Sequence, residues 1–251
     1  VRSLAVPYRK LIEGFKRFRE EYFLSAKKDV YKKLVEEGQK PETLVIACSD
    51  SRIDPAILTN SDPGEFFAIR NVAALVPPYN NKGGSLHGTS SAIEYAVRFL
   101  GVRHIVILGH AGCGGVNALA RGTYQATTHH GFQFLSHWLD IGQEAKEKTD
   151  DVLQTKTDSE KVRALEQATI LVSMANLLSF PWIRDKCGRG ELDIHGWYFD
   201  MGQGQLLEYN PDKELFEDID GAAHSATRLM EKPDLINFLK NYLKFCTHHA
   251  S

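Results

Sequence analysis

A cysteine, an aspartate and an arginine stand at alternate positions in "ACSDSR", as Cys48, Asp50 and Arg52; His110 and Cys113 follow in "GHAGCGG". Two thiols and one imidazole suit zinc and leave one of four coordination positions open. An open position marks a catalytic rather than a structural ion, and no further Cys or His stands at finger-like spacing. An aspartate beside such an ion would ligate it unless its carboxylate were held elsewhere. Arg52 offers a two-pronged guanidinium that can keep Asp50 ionised and turned away. Asp50 could then accept a hydrogen bond from a zinc-bound hydroxide and orient it. Each residue also has a bland reading: a cysteine as a small core hydrophobe, His110 as a core histidine, "HAGCGG" as a tight turn, Asp50 as a turn cap. Only the two motifs together, each at a strand end, favour a metal site.

The elements around them support that placement. "TLVIAC" (43–48) and "HIVILGH" (104–110) read as buried strands, and "SAIEYAVRFLG" between them as an amphipathic helix stopped by Gly101. Strand, helix and strand imply a parallel sheet, whose ligands bind outside the carboxyl ends of the strands. Cys113 opens "GGVNALA", a helix whose N-terminal dipole favours a thiolate. Residues from Pro7 to Gly38 read as one long amphipathic helix. "FLSHWLDIGQEAK" and "SEKVRALEQATILVSMANLL" predict further helices, and "LDIHGWYFDMGQGQLLEYN" a hairpin turning at 202–204. "KPDLINFLKNYLKF" predicts a closing helix. The expectation is an α/β fold with a central, mostly parallel sheet and flanking helices. One domain spans 1–251: an N-terminal helical arm (1–38), a catalytic core (39–200) and a C-terminal hairpin and helix (201–251).

Composition narrows the class. The 251 residues carry a formal net charge of -2, which gives no electrostatic footprint for nucleic acid or an anionic membrane. No apolar run approaches the roughly 20 residues of a membrane span. Four cysteines are too few for a disulfide scaffold, and a cytoplasmic location is expected. The chain opens on Val, as trimming would leave it, and a removed presequence would be invisible. Cys187 and Cys246 read as free thiols, His248 and His249 as a frayed tail, and His129-His130 as a loop. His87, preceding the helix of Tyr95, is a better candidate for a proton shuttle.

"CSDSR" with "HAGCGG" resembles the β-class carbonic anhydrases, and the likeness extends over "GQKPETLVIACSDSR", "DPGEFFAIRNVAALVPPY", "GTSSAIEYAV" and "IHGWYFD". The resemblance, strongest to plant-type members, implies one zinc per chain on Cys48, His110 and Cys113, with water or hydroxide as fourth ligand. Asp50 would take that position only in a closed state. It implies Asp50 and Arg52 as a catalytic dyad, and Gln39, Phe67, Val72, Tyr95 and Gly114 around the substrate. The reaction implied is reversible hydration of carbon dioxide to bicarbonate and a proton, in a homodimer or larger homo-oligomer with a tetramer favoured. In the family the pocket lies at a dimer boundary, around which the arm would wrap. Two thiolates should leave the zinc water less acidic than three imidazoles would, so activity should rise towards alkaline pH. Carbonyl sulfide or carbon disulfide hydrolysis on the same zinc is the nearest alternative, and a non-catalytic zinc or bicarbonate-binding protein a more distant one. Some bacterial members bind an inhibitory bicarbonate through a Trp, an Arg and a Tyr. Those positions here are Val45, Arg70 and Phe199, which predicts the open type of site.

Overall fold

The computed structural model describes residues 6–25, 27–80, 87–124 and 132–219. Its centre is a six-stranded sheet of β1 (Thr43–Cys48), β2 (Phe66–Asn71), β3 (His104–His110), β4 (Asp193–Asp200), β5 (Gln205–Asn210) and β6 (Leu215–Asp218). The order is β2-β1-β3-β4-β5-β6. β1 pairs in parallel with β2 and β3, and β3 with β4; β5 and β6 are added antiparallel. The fold is thus α/β with a mostly parallel sheet, as expected.

β1 and β3 are buried almost throughout, which explains their continuous β-branched runs: both faces of a central parallel strand are covered. One face, with Leu44, Ile46, Ile105, Ile107 and Tyr198, joins the main core. Against it lies α8 (Asp158–Leu178), entered through a capping box in which Thr157 and Glu160 satisfy each other's backbone N–H groups. The other face carries a smaller cluster of Val45, Ala47, Ile53, Val106 and Leu108. Around this frame stand α3 (Pro55–Thr59), α4 (Gly88–Glu94), α5 (Gly114–Arg121), α6 (Gln133–Leu139), α7 (Gln143–Val152) and α9 (Pro181–Gly188). The closing helix expected at 232–245 lies outside the described residues, as do His129, His130, Cys246, His248 and His249.

Two helix expectations need correction. The arm is not one helix but two, α1 (Val6–Phe23) and α2 (Lys28–Glu37). The Ser25 hydroxyl bonds back to the Glu21 carbonyl and accepts the Lys27 N–H, so a side chain competes with the helical ladder and ends it. The two helices close on an aromatic cluster of Phe18, Tyr22, Phe23 and Tyr31. Residues 91–100 are also not uniform: α4 gives way to a wide π-type turn over Tyr95–Leu100, closed by left-handed Gly101. Such turns are frequent at functional sites.

Candidate metal centre

β1 and β3 lie side by side and run in the same direction, with Ala47 opposite Leu108. Their carboxyl ends therefore bring Cys48 and His110 together, and the turn into α5 returns Cys113 to them. The three are buried and present ligand atoms within 4.8 Å of one another. The sulfurs of Cys48 and Cys113 are 3.9 Å apart. Two sulfurs each about 2.3 Å from one tetrahedral ion would stand about 3.8 Å apart, so the spacing fits. His110 Nδ1 meets the Ala111 carbonyl at 3.0 Å, which assigns the proton to Nδ1. Its Nε2 is buried with no hydrogen-bond partner, a lone pair aimed at the cluster. An orphaned imidazole nitrogen beside two sulfurs suits a zinc ligand set.

Backbone N–H groups support the thiolates. The Cys113 sulfur faces the N–H groups of Gly115 and Val116 at the start of α5; the Cys48 sulfur faces those of Asp50 and Ala73. Ala73 and Ala74 both adopt positive φ, 64° and 52°. This costs an alanine on the order of 1–2 kcal/mol each and belongs to the turn that delivers the Ala73 N–H. The hydrogen bond with Cys113 pulls the Cys48 thiol down, with help from His110 and against burial. The same bond, with burial, pushes Cys113 up. A metal takes both sulfurs as thiolates, so binding there would release their protons. For His110, burial acts downward, but Cys48 and the Ala111 carbonyl outweigh it and raise the imidazole.

Asp50 is gripped from three sides. Arg52 Nε reaches Oδ1 at 2.9 Å, Arg52 Nη2 reaches Oδ2 at 2.6 Å, and the Arg52 backbone N–H donates to Oδ1 at 2.9 Å. Together they hold the carboxyl well below its usual range. Arg52 Nη2 also donates to the Gly112 carbonyl at 2.9 Å, where a φ of 68° suits glycine. Asp50 Oδ2 lies 3.9 Å from His110 Nε2, beside the cluster.

Several contributors left little trace in the sequence. Arg70 donates to the carbonyls of Cys48 (3.1 Å), Asp50 (2.7 Å) and Ile53 (2.5 Å) and to Asp54 (3.2 Å), latching the loop that carries the dyad. Glu166, 3% exposed, accepts the Cys113 N–H at 3.0 Å and the Tyr198 hydroxyl at 2.8 Å. Burial pushes its carboxyl up. The available signal was a lone carboxylate in the apolar run "ALEQATILVSM", since acids are seldom buried unless partnered.

The residues expected around the substrate divide. Val72 stands beside α5: a Cβ on Gly115 would meet its Cγ1 at 2.7 Å. A Cβ on Gly114 would meet nothing within 4 Å, so that position borders open space. Phe67, by contrast, pairs with Leu44, four residues before Cys48 in register, about 13 Å along the strand. It packs on Tyr95 (centroids 5.7 Å apart), which stacks on Phe99 at 4.9 Å, 75% exposed. Gln39 is exposed between α2 and β1. A 770 Å³ groove beside Val72 is lined by His87, Phe134 and Trp138.

A family model described as carbonic anhydrase matches residues 43–206. The carbonic anhydrase of Synechococcus elongatus is 34% identical over 200 residues, covering 80% of this chain and 71% of that protein. The solved β-carbonic anhydrase CcaA is similar with a TM-score of 0.77 and 32% identity, over 84% of this chain and 98% of its own. A chain from the tetrameric β-carbonic anhydrases of Sordaria macrospora gives 0.61 and 30%, over 81% and 93%. The matched segment holds the entire Cys–His–Cys cluster and the Asp50–Arg52 pair, and this chain therefore belongs to the β-carbonic anhydrases, a family of enzymes.

Proposed function

We propose that this chain catalyses the reversible hydration of carbon dioxide to bicarbonate and a proton, using one zinc per chain on Cys48, His110 and Cys113. The observation that carries this reading is the orphaned His110 Nε2 facing two thiols, with Asp50 turned away by Arg52. When bound there, zinc would supply a water acidified enough to give a nucleophile near neutrality.

The chain's own groups set the rest. Asp50 stays ionised in the grip of Arg52 and can only accept a hydrogen bond, so it orients the donor proton of the attacking group. To become a fourth ligand it would have to give up contacts to Arg52, which supports the open form. Arg70 makes four contacts within the loop. With Val45 and Phe199 supplying no polar side chain, an inhibitory bicarbonate would be short of donors there, at a cost on the order of 1 kcal/mol or more. Val72 gives carbon dioxide an apolar wall, and Gly114 leaves room for its approach. Phe67, Tyr95 and Gln39, remote from their own cluster, are assigned to the site of a second copy. The functional unit is then at least a dimer, and the tetrameric relatives make a tetramer the expected form. His87 borders the groove beside Val72 and is the candidate to pass the product proton to buffer.

Metal analysis with stopped-flow hydration tests the proposal. One zinc per chain and turnover rising with pH are expected, and Cys48→Ser should lose metal and rate together. Metal-free protein working at full rate would overturn it, and hydrogen sulfide release from carbonyl sulfide with little carbon dioxide hydration would reassign the substrate.

A further inference from the structure

His104 and His195 meet at the end of the sheet opposite the Cys48–His110–Cys113 cluster, six residues of β3 or about 20 Å away. The register of β3 on β4 sets His104 against Asp193 and Val106 against His195, so all three polar side chains rise from one sheet face. Glu208 pairs with Trp197 and stands on that face too. His104 Nδ1 lies 3.3 Å from His195 Nε2 and 3.9 Å from Asp193 Oδ2. On the far side of the ring, His195 Nδ1 lies 2.8 Å from Glu208 Oε1, a carboxylate with only 6% of its side chain exposed.

With Glu208 as acceptor, Nδ1 of His195 carries the proton and Nε2 presents its lone pair towards His104. A carboxylate behind an imidazole is the arrangement that orients histidines on metal ions and raises their basicity. Two nitrogens each about 2.0–2.1 Å from one tetrahedral ion stand about 3.3 Å apart, the separation seen between these rings. It lies at the long end for a hydrogen bond, whose N–H···O range is about 2.7–3.2 Å. We propose that His104 and His195, with Asp193 swinging in as a third ligand, form a second site for a divalent first-row ion such as zinc, clipping β3 to β4. Imidazole donors suit zinc and nickel, and zinc also accepts a carboxylate oxygen. The side chains of His104 and Asp193 are 43% and 40% exposed, which leaves an entry path and room for water ligands. The set is looser than the cysteine cluster, so this ion exchanges freely while the first is retained.

The assignment is independent of the catalytic reading and can fail separately. Holoenzyme carrying its first zinc is dialysed against graded Zn²⁺, with the bound metal counted per chain. A second equivalent is expected in the wild type. His104→Gln leaves the His195–Glu208 pair in place and should weaken that equivalent at least about 10-fold. Glu208→Gln should weaken it by a smaller factor, and carbon dioxide hydration by His104→Gln should stay within about 2-fold of wild type. No second equivalent at millimolar Zn²⁺ would overturn the proposal and leave the pair a shared-proton contact. A second equivalent unchanged by His104→Gln would overturn it equally, by placing the ion elsewhere.

Discussion

In the proposed mechanism Asp50 and Arg52, two residues apart, would solve one electrostatic problem between them. A carboxylate next to a dication is drawn into coordination, and Arg52 competes for it with two prongs and a backbone N–H. Removing the guanidinium should cut kcat by about 100-fold or more while zinc content is retained; Arg52→Ala at near wild-type turnover in stopped flow would contradict this. The pH dependence of stability has a definite sign. The folded-state carboxyl of Asp50 is depressed, mainly by its bond to Arg52, so the pair contributes stability above the unfolded value of about 4. That contribution is lost as pH falls from there through the folded value. Asp50→Asn should therefore lower the melting temperature at pH ~7, and the difference should shrink in melts taken progressively below pH ~4. Arg52 is 55% exposed, so solvent screening keeps the effect small.

At the level of elements, the cluster depends on how closely α5 approaches the turn at Val72–Ala74. Gly115 allows it: a methyl there would lie 2.7 Å from Val72 Cγ1 and 3.2 Å from Ala73 Cβ. Trp138 pins the same turn by donating to the Val72 carbonyl at 2.8 Å. Gly115→Ala should push the start of α5 outward and cost about 1–3 kcal/mol of stability, read from denaturant midpoints. Zinc should also leave faster in a chelator challenge, because the N–H groups facing Cys113 move with the helix. Wild-type zinc retention would show that α5 has slack at this point.

For the whole molecule, the arm is the part least accounted for by a single chain. None of α2 is buried, and Tyr8, Leu11 and Phe15 of α1 are 55%, 71% and 62% exposed. The arm meets its own core at the turn 62–64, where Tyr22 donates to Asp62 and Leu34 packs on Gly64. An exposed apolar face of this kind marks an interaction surface; in the proposed dimer a second copy would cover it and would also supply neighbours for Phe67, Tyr95 and Phe99. Leu11→Asp with Phe15→Asp should weaken assembly at least about 10-fold, near 1.4 kcal/mol. Sedimentation at assay concentration should show smaller species with reduced turnover. Unchanged mass and rate would place the arm's role elsewhere.

The candidate ligand set was legible in the chain itself because residue types are covalent facts, and the fold brings Cys48, His110 and Cys113 together. Two thiols, an imidazole and the Asp–Arg alternation can be read without coordinates, and so can two buried strands ending in them, since burial on both faces demands continuous apolar runs. The break in the arm at Ser25 was not legible, because the choice between a helical bond and a side-chain bond depends on the aromatic cluster that closes behind it. Nor was α9, whose eight residues give too short a pattern. The partners of Glu166, Arg70 and His104 were decided by tertiary structure alone. Glu166 lies 53 residues from the Cys113 N–H it accepts, and Arg70 lies 22 from the Cys48 carbonyl it holds. The His104–His195 contact spans 91 residues. Strand register sets such distances, and register is fixed by the packing of whole faces, which no local run of residues encodes.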